Sequence, residues 1–81
     1  MKDKVRVRPL RPHEKSKLRR LKRLRRNAVN SRNARIIMLS VGNRRNAVIA
    51  EMVGCTPTWV RQTIHRFNED GIAGITWYPW F

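Results

Sequence analysis

Acidic residues, cysteine and long apolar runs are all scarce in this sequence. Five of its 81 residues are Asp or Glu, against 19 Lys or Arg, which gives a formal net charge of +14. The single cysteine excludes an intramolecular disulfide and fits a reducing compartment. No apolar run approaches the length of a membrane span or a secretory signal, so we expect neither.

The residues from which catalytic and metal sites are built are also few and poorly spaced. His13 and His65 are far apart and Cys55 stands alone, so the sequence has no zinc-ligand spacing. It has no glycine-rich phosphate loop and no Ser/His/Asp constellation. Glu69 and Asp70 are adjacent at a predicted helix end, and we interpret them as surface residues. We therefore expect no catalytic residue, no metal site and no cofactor.

Positive charge is concentrated in the first half of the chain. Residues 1–45 contain 17 basic and 2 acidic residues, whereas residues 46–81 contain 2 basic and 3 acidic residues. A field of this strength favours a polyanion as partner, and nucleic acid before an anionic membrane. The length allows one domain with a modest core.

A helix followed by a tight turn is predicted after residue 44. Ile49, Ala50 and Val53 place apolar side chains at i, i+1 and i+4, which favours a short helix with one buried stripe. Gly54 follows the last of them and is suited to end the helix in the left-handed conformation.

A second helix is predicted directly after this turn. Thr56 is a suitable N-cap, and Pro57 is tolerated at the first helical position because its missing N–H has no intrahelical partner there. Val60, Ile64 and Phe67 recur at i, i+4 and i+7. Two short helices joined by a glycine-containing turn form a helix-turn-helix, and a generic helical hairpin is the alternative.

Two further helices are predicted upstream. The first runs from Pro12 to about Arg26, is densely basic, and carries a thin apolar edge at Leu18, Leu21 and Leu24. The second is predicted to be capped by Asn30 or Ser31 and to end near Gly42. Its buried stripe comprises Ala34, Ile37, Met38 and Val41, with Met52 expected as further core filler. Its second apolar face holds Ile36 and Leu39, on which we expect the basic helix to dock.

The two ends of the chain have unusual compositions. In residues 1–11, apolar and basic residues alternate and Pro9 and Pro12 oppose helix, so this arm is either a frayed terminus or a segment laid along DNA, including its minor groove. Residues 76–81 are largely aromatic. This tail either folds back onto the helices or docks on a partner, with a second copy of the chain and a separate catalytic domain as candidates.

A series of short motifs extends along most of the sequence. They are Ala34-Arg35-Ile36-Ile37, Ile49-Ala50, Gly54-Cys55, Val60-Arg61, Phe67 and Gly71-Ile72-Ala73-Gly74-Ile75, preceded by Val5-Arg6-Val7-Arg8-Pro9-Leu10 in the arm. In this order and spacing they resemble the N-terminal helix-turn-helix domain of bacterial insertion-sequence transposases of the mariner-related superfamily. Two departures are Arg11, where that family often has a capping Thr or Ser, and the high arginine content of the first helix.

The resemblance implies the DNA-end-binding half of a transposase. Such proteins continue into a domain with three metal-binding carboxylates, which this chain lacks, so the chain is expected not to be an enzyme. The resemblance also implies a bacterial, cytoplasmic and nucleoid-associated protein. A stand-alone transcriptional regulator and, as a further alternative, a basic RNA-binding protein share the same features.

We predict an all-α fold: a homeodomain-like, three-helix helix-turn-helix domain at residues 30–75, preceded by a basic arm and helix at 1–29 and followed by the tail at 76–81. The helix after the turn is expected to read bases in duplex DNA, and arginines elsewhere to hold phosphates. The predicted base-reading residues are Thr58, Trp59, Arg61, Gln62 and His65. The predicted backbone-contacting residues are Arg6, Arg8, Arg19, Arg20, Arg23, Arg26, Arg44, Arg45 and Thr56.

Among the base-reading residues, each side chain suggests a different contact. Arg61 suits guanine and Gln62 suits adenine, while Thr58 fits a thymine methyl group or a phosphate. Trp59 is interpreted in two ways, as a wedge against sugars or as a cover over the core.

Overall fold

Five α-helices form the structure, a computed structural model that describes residues 5–23 and 28–76. They are α1 (Pro12–Arg23), α2 (Ala28–Val41), α3 (Asn46–Val53), α4 (Pro57–Asp70) and α5 (Ile72–Ile75). These residues contain no β-strand, and the predicted all-α fold is confirmed. None of the helices in the described part of the chain is both long and apolar enough to cross a membrane.

The core is built around α2, which packs against all four other helices. Its Ile36 and Ile37 point to different faces and are both fully buried. The fully buried Leu18 of α1 belongs to the same core, so the predicted docking of the basic helix is confirmed. The complete buried apolar set is Leu18, Ala34, Ile36, Ile37, Ile49, Ala50, Val60, Ile64, Phe67 and Ile75.

The helix-turn-helix comprises α3, the turn at residues 54–56, and α4. Gly54 has a φ of 79°, and its N–H and that of Cys55 both donate to the Ala50 carbonyl at 2.9 Å. The Thr56 hydroxyl accepts the Trp59 N–H at 3.1 Å, which caps the start of α4. The predicted glycine stop and threonine cap are therefore confirmed. Cys55 is half-buried in the turn, and burial raises the pKa of its thiol.

Several details of the predicted helices are wrong. The α2 helix starts at Ala28, so Asn30 and Ser31 lie inside it, and the Ser31 hydroxyl donates to the Lys22 carbonyl at 2.9 Å. Val41 and Met52, which the sequence places in the core, are 43% and 46% exposed, because the last turn of α2 and the outer face of α3 extend beyond the packed layers. Leu24 and Arg26 lie outside the described residues.

The arm from residue 5 to residue 11 is extended and bound to the helices. Asn68, near the end of α4, accepts the Arg8 N–H and donates to the Arg6 carbonyl, each at 2.8 Å. Asn46, at the start of α3, donates to the Val5 carbonyl at 3.2 Å. Of the two interpretations of the arm, the frayed terminus is therefore wrong for residues 5–11, because the arm's backbone groups are paired with side chains of α3 and α4. The arm's placement along DNA stays a prediction.

Apolar side chains of the arm complete this attachment. Val5, Val7 and Leu10 pack against the core, and the Val7 N–H donates to the Ser40 hydroxyl at 3.3 Å. The arm and α1 thus share one core with residues 30–75, although the predicted division of the chain at residue 29 stays a prediction.

Arg8 and Glu14 form an ion pair between the arm and α1. The Arg8 guanidinium donates to both carboxylate oxygens, at 2.9 and 2.7 Å, and lies 4.7 Å from the centre of the Phe67 ring. Glu14 is 3% exposed and also accepts the Arg11 N–H at 2.9 Å, as a third-position glutamate does in a capping box. Arg8 is one of the predicted backbone-contacting residues. Its guanidinium neutralises a buried carboxylate, and its contact with DNA stays a prediction.

These contacts make Glu14 strongly acidic. Its hydrogen bonds with the Arg8 guanidinium lower its pKa to about 2, with the Arg11 N–H contributing in the same direction against the effect of burial. Since the pKa is lower in the folded chain, the unfolded chain binds this proton first as pH falls. The stabilisation from the pair is present above the ordinary glutamate pKa near 4.5 and is lost as pH falls towards 2.

We predict that Glu14→Gln lowers the free energy of unfolding by about 2 kcal/mol at pH 7, because Arg8 loses a charged hydrogen-bond partner in a poorly hydrated site. Urea denaturation followed by circular dichroism measures this. The difference from wild type should shrink between pH 4.5 and 2. Glu51→Gln, which changes an exposed carboxylate on α3, is the matched control and should change stability little. Equal effects of the two substitutions would contradict the assigned role of the pair.

Candidate nucleic-acid interface

The outward face of α4 is a polar stripe with varied hydrogen-bonding groups. Thr58, Gln62 and His65 are all exposed and lie at i, i+4 and i+7, which places them on one side of the helix. The opposite side consists of the buried Val60, Ile64 and Phe67, so the register of α4 is fixed by the core. We call Thr58, Gln62 and His65 the outer stripe. It presents a hydroxyl, an amide and an imidazole.

Arg61 lies beside the outer stripe. Its side chain is half-buried, and its guanidinium donates to the Thr58 hydroxyl at 3.4 Å. The structure thus brings together four of the five predicted base-reading residues. Their contact with bases stays a prediction.

Trp59 is separated from the outer stripe by its packing. It is half-buried against the core, and its indole N–H donates to the Asn33 amide oxygen at 3.1 Å. The buried Asn33 side chain in turn donates to the Ile75 carbonyl at 3.0 Å. Because its polar atom is engaged within the protein and its ring is half-buried, these contacts favour the interpretation of Trp59 as a cover over the core. Its contact with DNA stays a prediction.

Two arginines outside the set of predicted site residues lie next to Trp59. The guanidinium carbon of Arg32 is 5.6 Å from the ring centre and that of Arg66 is 6.0 Å away, both within the range of cation–π attraction. Trp59 and Arg66 are seven residues apart on α4, a spacing that places two side chains on the same face. That spacing was available in the sequence, whereas the approach of Arg32 from α2 depends on the tertiary fold.

Other basic residues flank the arm's attachment to the helices. Arg6 is exposed, and its guanidinium donates to the Asn43 side chain at 3.4 Å. Arg44 and Arg45 are exposed and immediately follow Asn43, and Arg45 occupies the N-cap position of α3. The arm therefore brings Arg6 to the chain segment that carries the other two arginines. Their role as phosphate contacts stays a prediction.

The remaining described residues that are predicted to contact the DNA backbone lie at the start of α4 and on α1. Thr56 is exposed, although its hydroxyl oxygen caps α4. Arg19, Arg20 and Arg23 are exposed on α1, which packs on α2 and α5 and not on α3 or α4. Arg26 lies outside the described residues. The structure therefore does not bring the α1 arginines together with the outer stripe.

No group of three or more His, Cys, Asp and Glu side chains able to hold a metal ion occurs in residues 5–23 and 28–76. The polar groups brought together around α4 are hydrogen-bonding and cationic. Such groups can bind a polyanion and read its hydrogen-bonding pattern.

Residues 32–77 match the model of a protein family described as winged helix-turn-helix. The chain belongs to this family. The match begins within α2 and extends through α3, the turn, α4 and α5. Although the family description includes a wing, the matched residues that the structure describes, 32–76, are helical or irregular and contain no strand. No curated relative and no solved structure matches the chain.

Helix-turn-helix domains read DNA with the second helix in the major groove. We predict that Gln62→Ala or Arg61→Lys lowers affinity for the preferred duplex about tenfold, while affinity for a scrambled duplex changes little. Each bidentate base contact contributes on the order of 1–3 kcal/mol of discrimination, and lysine keeps the charge of Arg61 without its planar fork. Fluorescence anisotropy with both duplexes at one salt concentration measures the ratio.

Ser16→Ala is the control for these two variants, because Ser16 is exposed on α1 and its substitution leaves the net charge unchanged. It should bind both duplexes as the wild type does. Equal losses on the preferred and the scrambled duplex would show that Arg61 and Gln62 contact the DNA backbone alone.

Proposed function

We propose that the chain binds duplex DNA sequence-specifically, as the end-recognition part of a mobile-element transposase. The observation that carries this proposal is the outer stripe on α4, a face rich in donors and acceptors held in fixed register on a helix-turn-helix. Exposed hydroxyl and amide groups on such a helix match the donor and acceptor pattern of base edges in the major groove.

The distribution of charge supports duplex DNA as the partner. The outer stripe contains no Lys, Arg, Asp or Glu, whereas basic side chains lie beside Trp59 and at the arm's attachment site. In protein–DNA complexes phosphate contacts fix the register, and base contacts supply the specificity. A weakly charged reading face flanked by arginines suits that division.

The resemblance of the sequence motifs to those of transposases supports the finer assignment, and two glycines of one motif have structural roles in this fold. Gly71 has a φ of 68°, which allows the chain to pass directly from α4 into α5. A Cβ atom at Gly74 would collide with the Arg66 carbonyl, so glycine permits α5 to pack closely on α4. The Gly71–Ile75 motif thus maintains the helix-turn-helix rather than serving as a generic linker.

The partners and location proposed with this function follow the resemblance. The proposal includes a second copy or a catalytic domain docking on the aromatic tail, and a bacterial nucleoid-associated location. Residues 77–81 of the tail lie outside the described residues, so docking there is a proposal from the sequence alone.

Selection from a random duplex library tests the function directly. We expect enrichment of one duplex sequence, recovery of that sequence at the ends of a mobile element, and weak competition by RNA. The 81-residue chain should cleave neither strand, with or without a divalent metal ion. Enrichment of a palindromic site by a stable dimer would favour a stand-alone regulator instead, and stronger binding to RNA would overturn duplex recognition.

The arginines of α1 have a separate predicted effect. If Arg19, Arg20 and Arg23 bind phosphates, replacing all three by alanine should weaken binding to every duplex by a similar factor. The slope of log affinity against log salt should flatten by about 0.9 for each phosphate that the variant no longer neutralises. A titration series over a range of salt concentrations measures the slope, and an unchanged slope would show that this face of α1 is merely solvated.

A further inference from the structure

A basic pocket lies between the first turns of α2 and the end of α3. Its volume is about 260 Å³, and the described residues that line it are Ala28, Ser31, Arg32, Arg35 and Val53. Two of these five side chains are guanidinium groups, one is a hydroxyl, and none is acidic. Ala28 and Ser31 are among the first four described residues of α2.

Arg32 has a buried donor that the described part of the protein does not satisfy. Its Nε atom is buried and has no hydrogen-bond partner among the residues that the structure describes. A buried donor without a partner is unfavourable, since it has lost water and gained nothing in exchange. Because this Nε atom has almost no solvent-accessible surface, an anion in the open pocket can contact Arg32 only through the terminal nitrogens of its guanidinium. Arg35 is exposed at the same pocket and offers a second guanidinium.

The pocket adjoins the start of α4. The Arg32 guanidinium stacks near the ring of Trp59, the third residue of α4, and its charge acts on the Cys55 thiol in the turn. Val53 is the last residue of α3. An anion held by Arg32 and Arg35 therefore lies next to the turn of the helix-turn-helix, close to where α4 begins.

We propose that this pocket binds one phosphate of the DNA backbone, with Arg32 and Arg35 as its ligands. Paired guanidinium groups match the oxygens of a phosphate and form short, charge-assisted hydrogen bonds with them. The inference rests on the proposed function, since the phosphate belongs to the duplex that α4 reads. Stacking on Trp59 holds Arg32 in place before DNA binds. The phosphate contact therefore fixes the position of the start of α4 relative to the major groove.

The test combines a loss of charge in the protein with a loss of charge in the DNA. The selected duplex is prepared as a series in which one phosphate at a time is replaced by a neutral methylphosphonate. At one position, this replacement should lower the affinity of the wild type about tenfold, the effect of losing a charged hydrogen bond. The Arg35→Ala variant should be insensitive at that position, and its salt slope should be flatter by about 0.9.

Two further variants distinguish loss of this phosphate contact from misfolding and from loss of positive charge elsewhere on the protein. Lys15→Ala removes one exposed positive charge on α1. At the phosphate position identified with the wild type, methylphosphonate replacement should weaken this variant's binding as much as it weakens that of the wild type. Arg32→Lys retains the charge and should weaken binding, because lysine lacks the paired donors. Thermal unfolding of each variant verifies that it is folded. Sensitivity of Arg35→Ala equal to that of the wild type at every position would overturn the proposal.

Titration with inorganic phosphate separates a DNA contact from a site for a free anion. Amide resonances of Ser31 and Arg35 are followed by NMR without DNA. Saturation at micromolar phosphate, combined with no coupling in the methylphosphonate series, would show that the pocket serves a free anion and would overturn the assignment to DNA. If selection enriches no duplex, the proposed function and this inference both fail. If the duplex is bound and no coupling is found, the inference fails alone.

Discussion

Burial of α2 on two faces is the constraint on which the rest of the structure depends. Ile36 and Ile37 are adjacent in sequence and both fully buried, so α2 must be covered from more than one side. The helix-turn-helix alone covers one side. The basic α1 covers another through Leu18, although its dense positive charge opposes helix formation in isolation. The arm then fastens this assembly through the Arg8–Glu14 pair, which gives α1 a buried anchor where it begins.

Local signals were sufficient to predict most of the fold. The Gly54 stop, the Thr56 cap and the spacing of Val60, Ile64 and Phe67 each depend on neighbours within one or two helical turns, and each is confirmed. The outer stripe on α4 follows directly from that spacing, since burying one face of a helix exposes the opposite face. Boundaries and exposed apolar residues were predicted less well, because the start of α2 and the exposure of Met52 depend on where the packed layers end.

Contacts between residues far apart in sequence could not be predicted in the same way. Asn68 binds the backbone of the arm across about 60 positions, and no periodicity marks an asparagine for that role. Arg8 and Glu14 are close in sequence, but their pairing depends on the arm turning back over Phe67. In a chain with 19 basic residues, composition alone does not show which arginines serve the fold and which remain available to a partner.

The ends of α4 are fixed by opposite ends of the chain. Near its start, Trp59 is hydrogen-bonded through Asn33 to the carbonyl of Ile75 in α5. Near its end, Asn68 is bound to the backbone of the arm at Arg6 and Arg8. A helix that reads bases must be held within a fraction of an ångström of its working position, because a looser one loses binding energy in becoming ordered. The arm and α5 therefore hold the outer stripe of α4 in place from both ends.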